Sequence, residues 1–246
     1  MHFLRNLLDK SRFATALKAV AISSIISMPA PVLAGFDFDI GIANEYVRNG
    51  ISQSRDDAVV ESGFNFNHRS GFYTGVWASS VNQKGNSLRY EADAYAGFYL
   101  PLGYSFAIDF GAMRYTFHGD ADEKDLAYTD GYLSLLLNDS TSLAVFQSEN
   151  YLNTNEPLRR IELAHTITNG DFSFEFMLGQ SRFLKNNQVN SNFGGNRDDY
   201  FHFRTGVMRD FNGFSYGLTL ERTNLGHQYS GGTKFTFSIN RKFNLF

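Results

Sequence analysis

From residue 36 onward the chain is written largely in a period of two. Phe36, Phe38, Ile40 and Ile42 enclose Asp37 and Asp39. Tyr104, Phe106, Ile108 and Phe110 follow the same rule around Asp109. So do Phe172, Phe174, Phe176 and Leu178 around Ser173 and Glu175, and Phe235, Phe237 and Ile239 around Thr236 and Ser238. Successive side chains of a β-strand point to opposite faces, so this alternation specifies strands with one apolar and one polar face. Twelve strands are predicted, near Phe36–Val47, Ala58–His68, Phe72–Asn82, Leu88–Tyr99, Tyr104–Phe117, Leu126–Leu137, Thr141–Asn150, Leu158–Ile167, Phe172–Phe183, Tyr200–Phe211, Phe214–Asn224 and Thr233–Phe243.

The connections between them fall into two alternating classes. Arg69-Ser70-Gly71, Leu100-Pro101-Leu102-Gly103, Asn138-Asp139-Ser140, Asn169-Gly170-Asp171 and Asn212-Gly213 are tight. They hold the Gly, Asn and Asp residues that tolerate positive φ in hairpin turns. The others, Arg48–Asp57, Gln83–Ser87, His118–Asp125, Tyr151–Pro157, Lys185–Asp199 and Leu225–Gly232, are longer. Short turns on one rim and long loops on the other are the layout of an outer-membrane barrel, and an even strand number returns both ends to the short-turn rim.

The first 34 residues differ in kind. Arg5, Lys10, Arg12 and Lys18 precede the apolar run Ala19–Met28, and small residues lead up to Gly35. That order is a secretory signal peptide, with Val32 and Ala34 suited to cleavage after Ala34. The run falls short of the about 20 residues that a membrane-spanning helix needs, and no later stretch is longer. The expected organisation is a signal peptide, 1–34, and a single domain, 35–246. Removing the signal takes away four bases and one acid, Asp9, which leaves the domain more acidic than the −3 of the full sequence. Such a balance argues against nucleic acid as a partner. There are no cysteines, so disulfides and thiolate metal sites are excluded. A mean hydropathy of −0.28 suits a soluble protein and a membrane barrel equally, because only alternate residues of a barrel face lipid.

A soluble sandwich or barrel is the competing architecture. Its core would have to bury the charges of the polar faces, which is costly without partners. A polar lumen with an apolar exterior accommodates both faces. The chain also ends on a bare aromatic, Phe246, after a strand-like run. The closing strand of an outer-membrane barrel must be recognised for insertion, and Phe246 is the expected assembly signal, although it falls out of phase with Phe235, Phe237, Ile239 and Phe243. The predicted fold is an all-β, transmembrane, antiparallel up-and-down β-barrel of about twelve strands.

Three stretches carry a family likeness: Asn44–Ser54 (NEYVRNGISQS), Ser70–Val81 (SGFYTGVWASSV) and Glu91–Phe98 (EADAYAGF). The region from Asn44 to Phe98 resembles the TorF-type porins, bacterial outer-membrane proteins whose own function is largely unassigned. The sequence departs from that pattern at Asn49, where arginine is usual before the glycine, and lacks a proline near Ala58. The resemblance implies a barrel in the bacterial outer membrane and supports solute transport only as a label.

The polar face gives the candidate pore lining. Its acids are Asp37, Asp39, Glu45, Glu61, Glu91, Asp93, Asp109, Asp130, Glu162, Glu175 and Glu221; its bases are Arg89, Arg160, Arg204 and Lys234, with His202 beside them. Unlike charges across a narrow pore set a transverse field that selects by ion sign, and the acid excess favours cations. The expected function is a narrow channel for small polar or cationic solutes. The alternative is a closed structural or surface-interaction barrel, in which the same groups form a salt-bridged filling. Expected partners are outer-membrane lipid and lipopolysaccharide, the barrel-assembly machinery and small polar solutes.

No catalytic site is expected. His68, His118, His165, His202 and His227 lack the H-x-S-N-G or G-x-S-x-G context in which a serine would gain a base. No cofactor is implied. Asp120-Ala121-Asp122-Glu123 lacks the glycine turn of a calcium loop, so no metal is expected either. Tyr46, Trp77, Tyr99, Tyr104, Tyr115, Phe117, Tyr151, Tyr200 and Phe211, near strand ends, are expected as interface girdles.

Overall fold

The computed structural model describes residues 35–82, 87–119, 126–184, 193 and 197–245. The expected signal peptide, the acidic stretch Asp120–Glu123, most of the Lys185–Asp199 loop and Phe246 lie outside the described residues.

The strands are β1 (Gly35–Ala43), β2 (Val47–Arg48), β3 (Ile51–Ser52), β4 (Val59–Asn67), β5 (Phe72–Ser80), β6 (Leu88–Leu102), β7 (Phe106–Gly119), β8 (Tyr128–Leu137), β9 (Thr141–Ser148), β10 (Leu158–Asn169), β11 (Phe172–Phe183), β12 (Asp199–Phe211), β13 (Phe214–Thr223) and β14 (Thr233–Asn244). Twelve of them close a single antiparallel barrel in chain order, while β2 and β3 form a separate hairpin. Closure is made by β1 against β14, in register from Asp37↔Asn244 to Ala43↔Ser238. On its other side β1 pairs with β4, from Gly35↔Asn67 to Ala43↔Val59. A closed sheet leaves no unpaired edge, so a chain without disulfides is held by a continuous hydrogen-bonded ring.

The tight connections behave as their residues dictate. Asn212 and Gly213 both adopt positive φ (51° and 78°), the requirement of a two-residue type I′ hairpin. The twelve wall strands lie where the alternation predicts them, with one difference that matters for function. The first strand ends at Ala43, not Val47, and the chain then leaves the wall.

Parity sorts the side chains. In β8, Tyr128, Asp130, Tyr132, Ser134 and Leu136 are buried, while Thr129, Gly131, Leu133, Leu135 and Leu137 are exposed. In β11 the interior takes Glu175, Met177, Gly179, Ser181 and Phe183, and the exterior takes Phe172, Phe174, Phe176 and Leu178. The exterior is therefore aliphatic and aromatic, with Phe235 61% and Leu178 59% exposed. The interior holds carboxylates such as Asp130 and Glu175 and the guanidinium groups of Arg160 and Arg204. This is the reverse of a soluble barrel, and it is the distribution that a hydrocarbon surrounding favours.

Candidate functional site: the lumen and its inward hairpin

Beyond Ala43 the side chain of Asn44 continues the β1–β14 ladder. Its Nδ2 donates to the Phe235 carbonyl (3.1 Å), and its Oδ1 accepts from the Phe237 N–H (2.6 Å). From there the chain turns inside. Glu45, Tyr46, Val47, Arg48, Gly50, Ser52, Gln53 and Ser54 are all buried. The β2–β3 hairpin turns on Asn49 (φ 53°) and Gly50 (φ 75°), an Asn-Gly type I′ pair that fixes the register Val47↔Ser52 and Arg48↔Ile51. Gly50 serves twice. A Cβ there would stand 2.9 Å from Thr223 Cβ and 3.1 Å from His202 Cβ on the wall.

The hairpin is tied to opposite parts of the barrel. The Gly50 N–H donates to Glu221 Oε2 of β13 (3.1 Å). Arg48 forms an ion pair with Glu91 of β6, and its guanidinium lies 5.0 Å from the Tyr115 ring centroid and 5.6 Å from that of Phe117. Tyr46 packs edge-on to Trp77, with centroids 5.4 Å apart, over an apolar cluster of Ala43, Val59, Val81 and Leu88. At the long-loop rim Lys234 Nζ binds Glu45 Oε1 (3.0 Å) and Asp56 Oδ1 (2.6 Å), and Ser52 N–H donates to the Ser230 carbonyl (3.0 Å). Burial acts to lower the Arg48 pKa, but Glu91 outweighs it and keeps the guanidinium charged. The hydrogen bond from Lys234 holds the Asp56 carboxyl below its usual range.

A second set of charges belongs to the wall itself. Arg160 of β10 reaches Glu162 (Nε–Oε1, 2.8 Å) and Asp130 (Nη1–Oδ2, 3.6 Å), and it lies over the Phe146 ring at 4.0 Å. His202 Nε2 is 3.6 Å from the same Glu162 oxygen. Its ring occupies space that exists because residue 179 is glycine, since a Cβ there would lie 2.1 Å from His202 Cε1. Arg204 Nε donates to Glu175 Oε1 (2.8 Å). Facing these arginines is an acid wall on β1, β4 and β6. Asn65 donates to Asp37 (2.7 Å) and Asp39 (3.2 Å), and Lys242 Nζ lies 3.0 Å from Asp37. Glu61 Oε1 and Asp93 Oδ1 are buried with no hydrogen-bond partner among the described residues.

Toward the short turns the two sides of the lumen differ in bulk. Tyr73, Tyr99 and Tyr132 cluster with Ala107, Leu136, Ala144 and Phe146, and Tyr95 packs against them. Tyr73 donates to Asp109 (2.5 Å). Gly97 provides the room, because a Cβ there would meet the Tyr73 and Tyr132 hydroxyls at 2.5 Å. The β12–β14 side instead presents small groups, including Gly206, Gly217, Thr219, Thr236 and Ser238.

Of the candidate lining residues, Asp37, Glu45, Glu61, Glu91, Asp93, Asp109, Asp130, Arg160, Glu162, Glu175, His202, Arg204 and Glu221 are buried. Asp39 and Lys234 are half-buried. Arg89 is not among them. A register irregularity between Leu88 and Tyr90 breaks the parity at the start of β6, so Leu88 is buried and Arg89 is exposed. Its place as an interior cation is taken by Arg48, which strand parity alone does not find because it sits in a loop. The Asn49-Gly50 dipeptide between Val47 and Ile51 is the signal that could have found it.

The girdle expectation needs a larger correction. Tyr46, Tyr99, Tyr115 and Tyr200 are buried, and Trp77, Phe117 and Tyr151 are half-buried against interior groups. Only Tyr104 and Phe211 of that set are exposed. The reason is phase: Tyr115 lies six residues from Asp109 and Tyr200 two from His202, so each shares the charged face of its strand. Among the described residues no group of three or more His, Asp or Glu side chains is placed to hold a metal ion.

The sequence matches a protein-family model over residues 32–244, described as "Bacterial protein of unknown function (Gcw_chp)". The TorF-type name itself rests on the resemblance alone. No curated protein matches the sequence. Similar solved structures are the KdgM porin (TM-score 0.55, 10% identity, 84% of this chain and 99% of that one) and the NanC porin (0.54, 9%, 85% and 100%). A third is the KdgM porin in complex with disordered oligogalacturonate (0.53, 10%, 85% and 99%). At these identities the likeness is one of fold, the porin-type barrel.

Proposed function

The chain belongs to this bacterial family of unknown function, and we propose that it is an outer-membrane channel, narrowed by its own first hairpin, that passes small polar solutes and prefers cations. One observation carries the reading: the interior acids outnumber the interior bases, and the surplus faces inward from β1, β4 and β6. Carboxylates held in a confined, poorly polarisable space attract cations and repel anions far more strongly than they would in water. Oligogalacturonate, found with the KdgM porin, carries many carboxylates. A lumen lined with Asp39, Glu61, Glu91 and Asp93 repels such a solute, so the shared barrel does not bring a shared cargo.

The apolar exterior and the secretory N-terminus support outer-membrane residence, with lipid and lipopolysaccharide around the wall. Assembly through the barrel-insertion machinery follows, with Phe246 as the expected signal. The reading gives no residue a catalytic role.

A second reading has its own observation. The hairpin, its ion pairs and the tyrosine cluster fill much of the interior, as in a closed structural barrel. Conductance of the purified protein in planar bilayers separates the two. Discrete steps that grow when the hairpin is released by Lys234→Met support the channel. Silence of both proteins across preparations that show folded, heat-modifiable barrels would overturn it.

A further inference from the structure

Arg48 is held as a bound solute would be held. It belongs to no wall strand and is carried into the lumen by a two-residue turn. Its receptor is built entirely by the wall. Glu91 of β6 has no exposed surface, and Tyr115 and Phe117 of β7 present their rings to the guanidinium at 5.0 and 5.6 Å. Asp93 lies two residues along the same face as Glu91, and Glu61 of β4 adds a further buried carboxylate with an unpartnered oxygen. Without the Arg48 side chain the wall keeps a carboxylate, two rings and two flanking acids. That set suits a flat, delocalised cation. Guanidinium stacks on aromatic faces and forks onto a carboxylate, whereas an ammonium or a hydrated metal ion does neither as well.

We propose that this box is a binding site for planar organic cations, guanidinium-bearing solutes above all, and that Arg48 is its resident stand-in. An entering solute exchanges with Arg48 on Glu91. The hairpin then loses its Arg48 ion pair to β6 and keeps its ties to Glu221, Ser230, Lys234 and Asn82 and the Tyr46–Trp77 packing, so its hold on the lumen is weakened. The site stands on the geometry of the wall, while its use in gating rests on the channel reading. Exchange is competitive with a tethered group whose effective concentration is of millimolar order, so solute must also reach about millimolar levels to displace it.

Two readouts keep these parts separate. The first is independent of current. Trp77 is the only tryptophan, and it touches hairpin residue Tyr46. Titrating the folded wild-type barrel with methylguanidinium should shift Trp77 emission with saturation, and equal concentrations of sodium or methylammonium should not. Arg48→Ala, whose box is vacant, should bind methylguanidinium at least tenfold more tightly, and the double variant R48A/E91Q should lose that gain. Arg48→Lys guards against misfolding of the alanine variant. It keeps the charge without the plane, so it should be displaced more readily than the wild type.

The second readout is conductance. Methylguanidinium should raise wild-type current and block the enlarged current of Arg48→Ala. Trp77 shifts that are equal for sodium and methylguanidinium, or an R48A affinity unchanged by E91Q, would overturn the site. A selective shift with no current in any variant would leave the site standing, and would overturn the gating role together with the channel reading.

Discussion

Arg160 provides the sharpest quantitative test of how dry the interior is. It is 2% exposed, its partner Glu162 is 6% exposed, and Asp130 and the Phe146 ring complete its surroundings. Arg160→Met keeps most of the volume but strands two carboxylates beside each other. Breaking a buried pair by removing one partner costs about 3–5 kcal/mol, because the remaining charge is left uncompensated. Replacing the whole set by apolar or neutral groups avoids that penalty. The variant R160M/E162L/D130N should therefore lie well above the single variant, and within about 1–2 kcal/mol of the wild type. The assay is equilibrium urea unfolding in lipid vesicles, read by heat-modifiable gel mobility. A loss below about 1 kcal/mol for Arg160→Met, the range of solvent-exposed pairs, would refute the reasoning and mean that water screens these charges throughout.

Gly50→Ala places a side chain at φ +75° and 2.9 Å from Thr223 Cβ. The strain, about 1–2 kcal/mol from backbone alone, should shift the hairpin outward and appear as a change in Trp77 emission and a larger conductance. On the outer face, Phe235→Arg should destabilise the barrel by about 2–4 kcal/mol if the site lies near the bilayer midplane, measured by the same unfolding assay. The Lys234 tie predicts a pH response of definite sign. Because the Asp56 carboxyl is held below its unfolded value, its contribution is present above the ordinary carboxylate range and is lost as pH falls through the depressed value. An acid titration of Trp77 emission should show that release, and Lys234→Met, in which the tie is already lost, should abolish it. Deleting Phe246 should lower the outer-membrane level without impairing export, checked by fractionation.

The wall was legible because its determinants are local. Alternation, Asn-Gly turns and loop lengths act within a few residues, so Phe172–Leu178 and Asn212-Gly213 declare themselves without tertiary context. The same parity rule placed Glu175, Arg204 and Glu221 on the inner face. What it missed depends on long-range contacts. Arg48 gains its meaning from Glu91, Tyr115 and Phe117, 43 residues and more away in sequence, and nothing at residue 48 announces them. Arg89 escapes the parity rule because a single register irregularity reverses it. Tyr46, Tyr99, Tyr115 and Tyr200 escape the girdle reading because nearness to a strand end does not fix which face a side chain takes. Tyr73, Tyr95 and Tyr132 face inward because glycines such as Gly75 and Gly97 leave hollows for their rings. Those hollows become visible only when neighbouring strands are set side by side.

The central claim is that an acid-surplus lumen conducts and favours cations. It is tested most directly by the reversal potential of the purified chain in a planar bilayer under a KCl gradient. The account predicts a reversal potential displaced toward the potassium equilibrium potential, moving further that way in Arg160→Met as an interior positive charge is removed. Displacement toward the chloride value, or a potential that ignores the loss of Arg160, would contradict it.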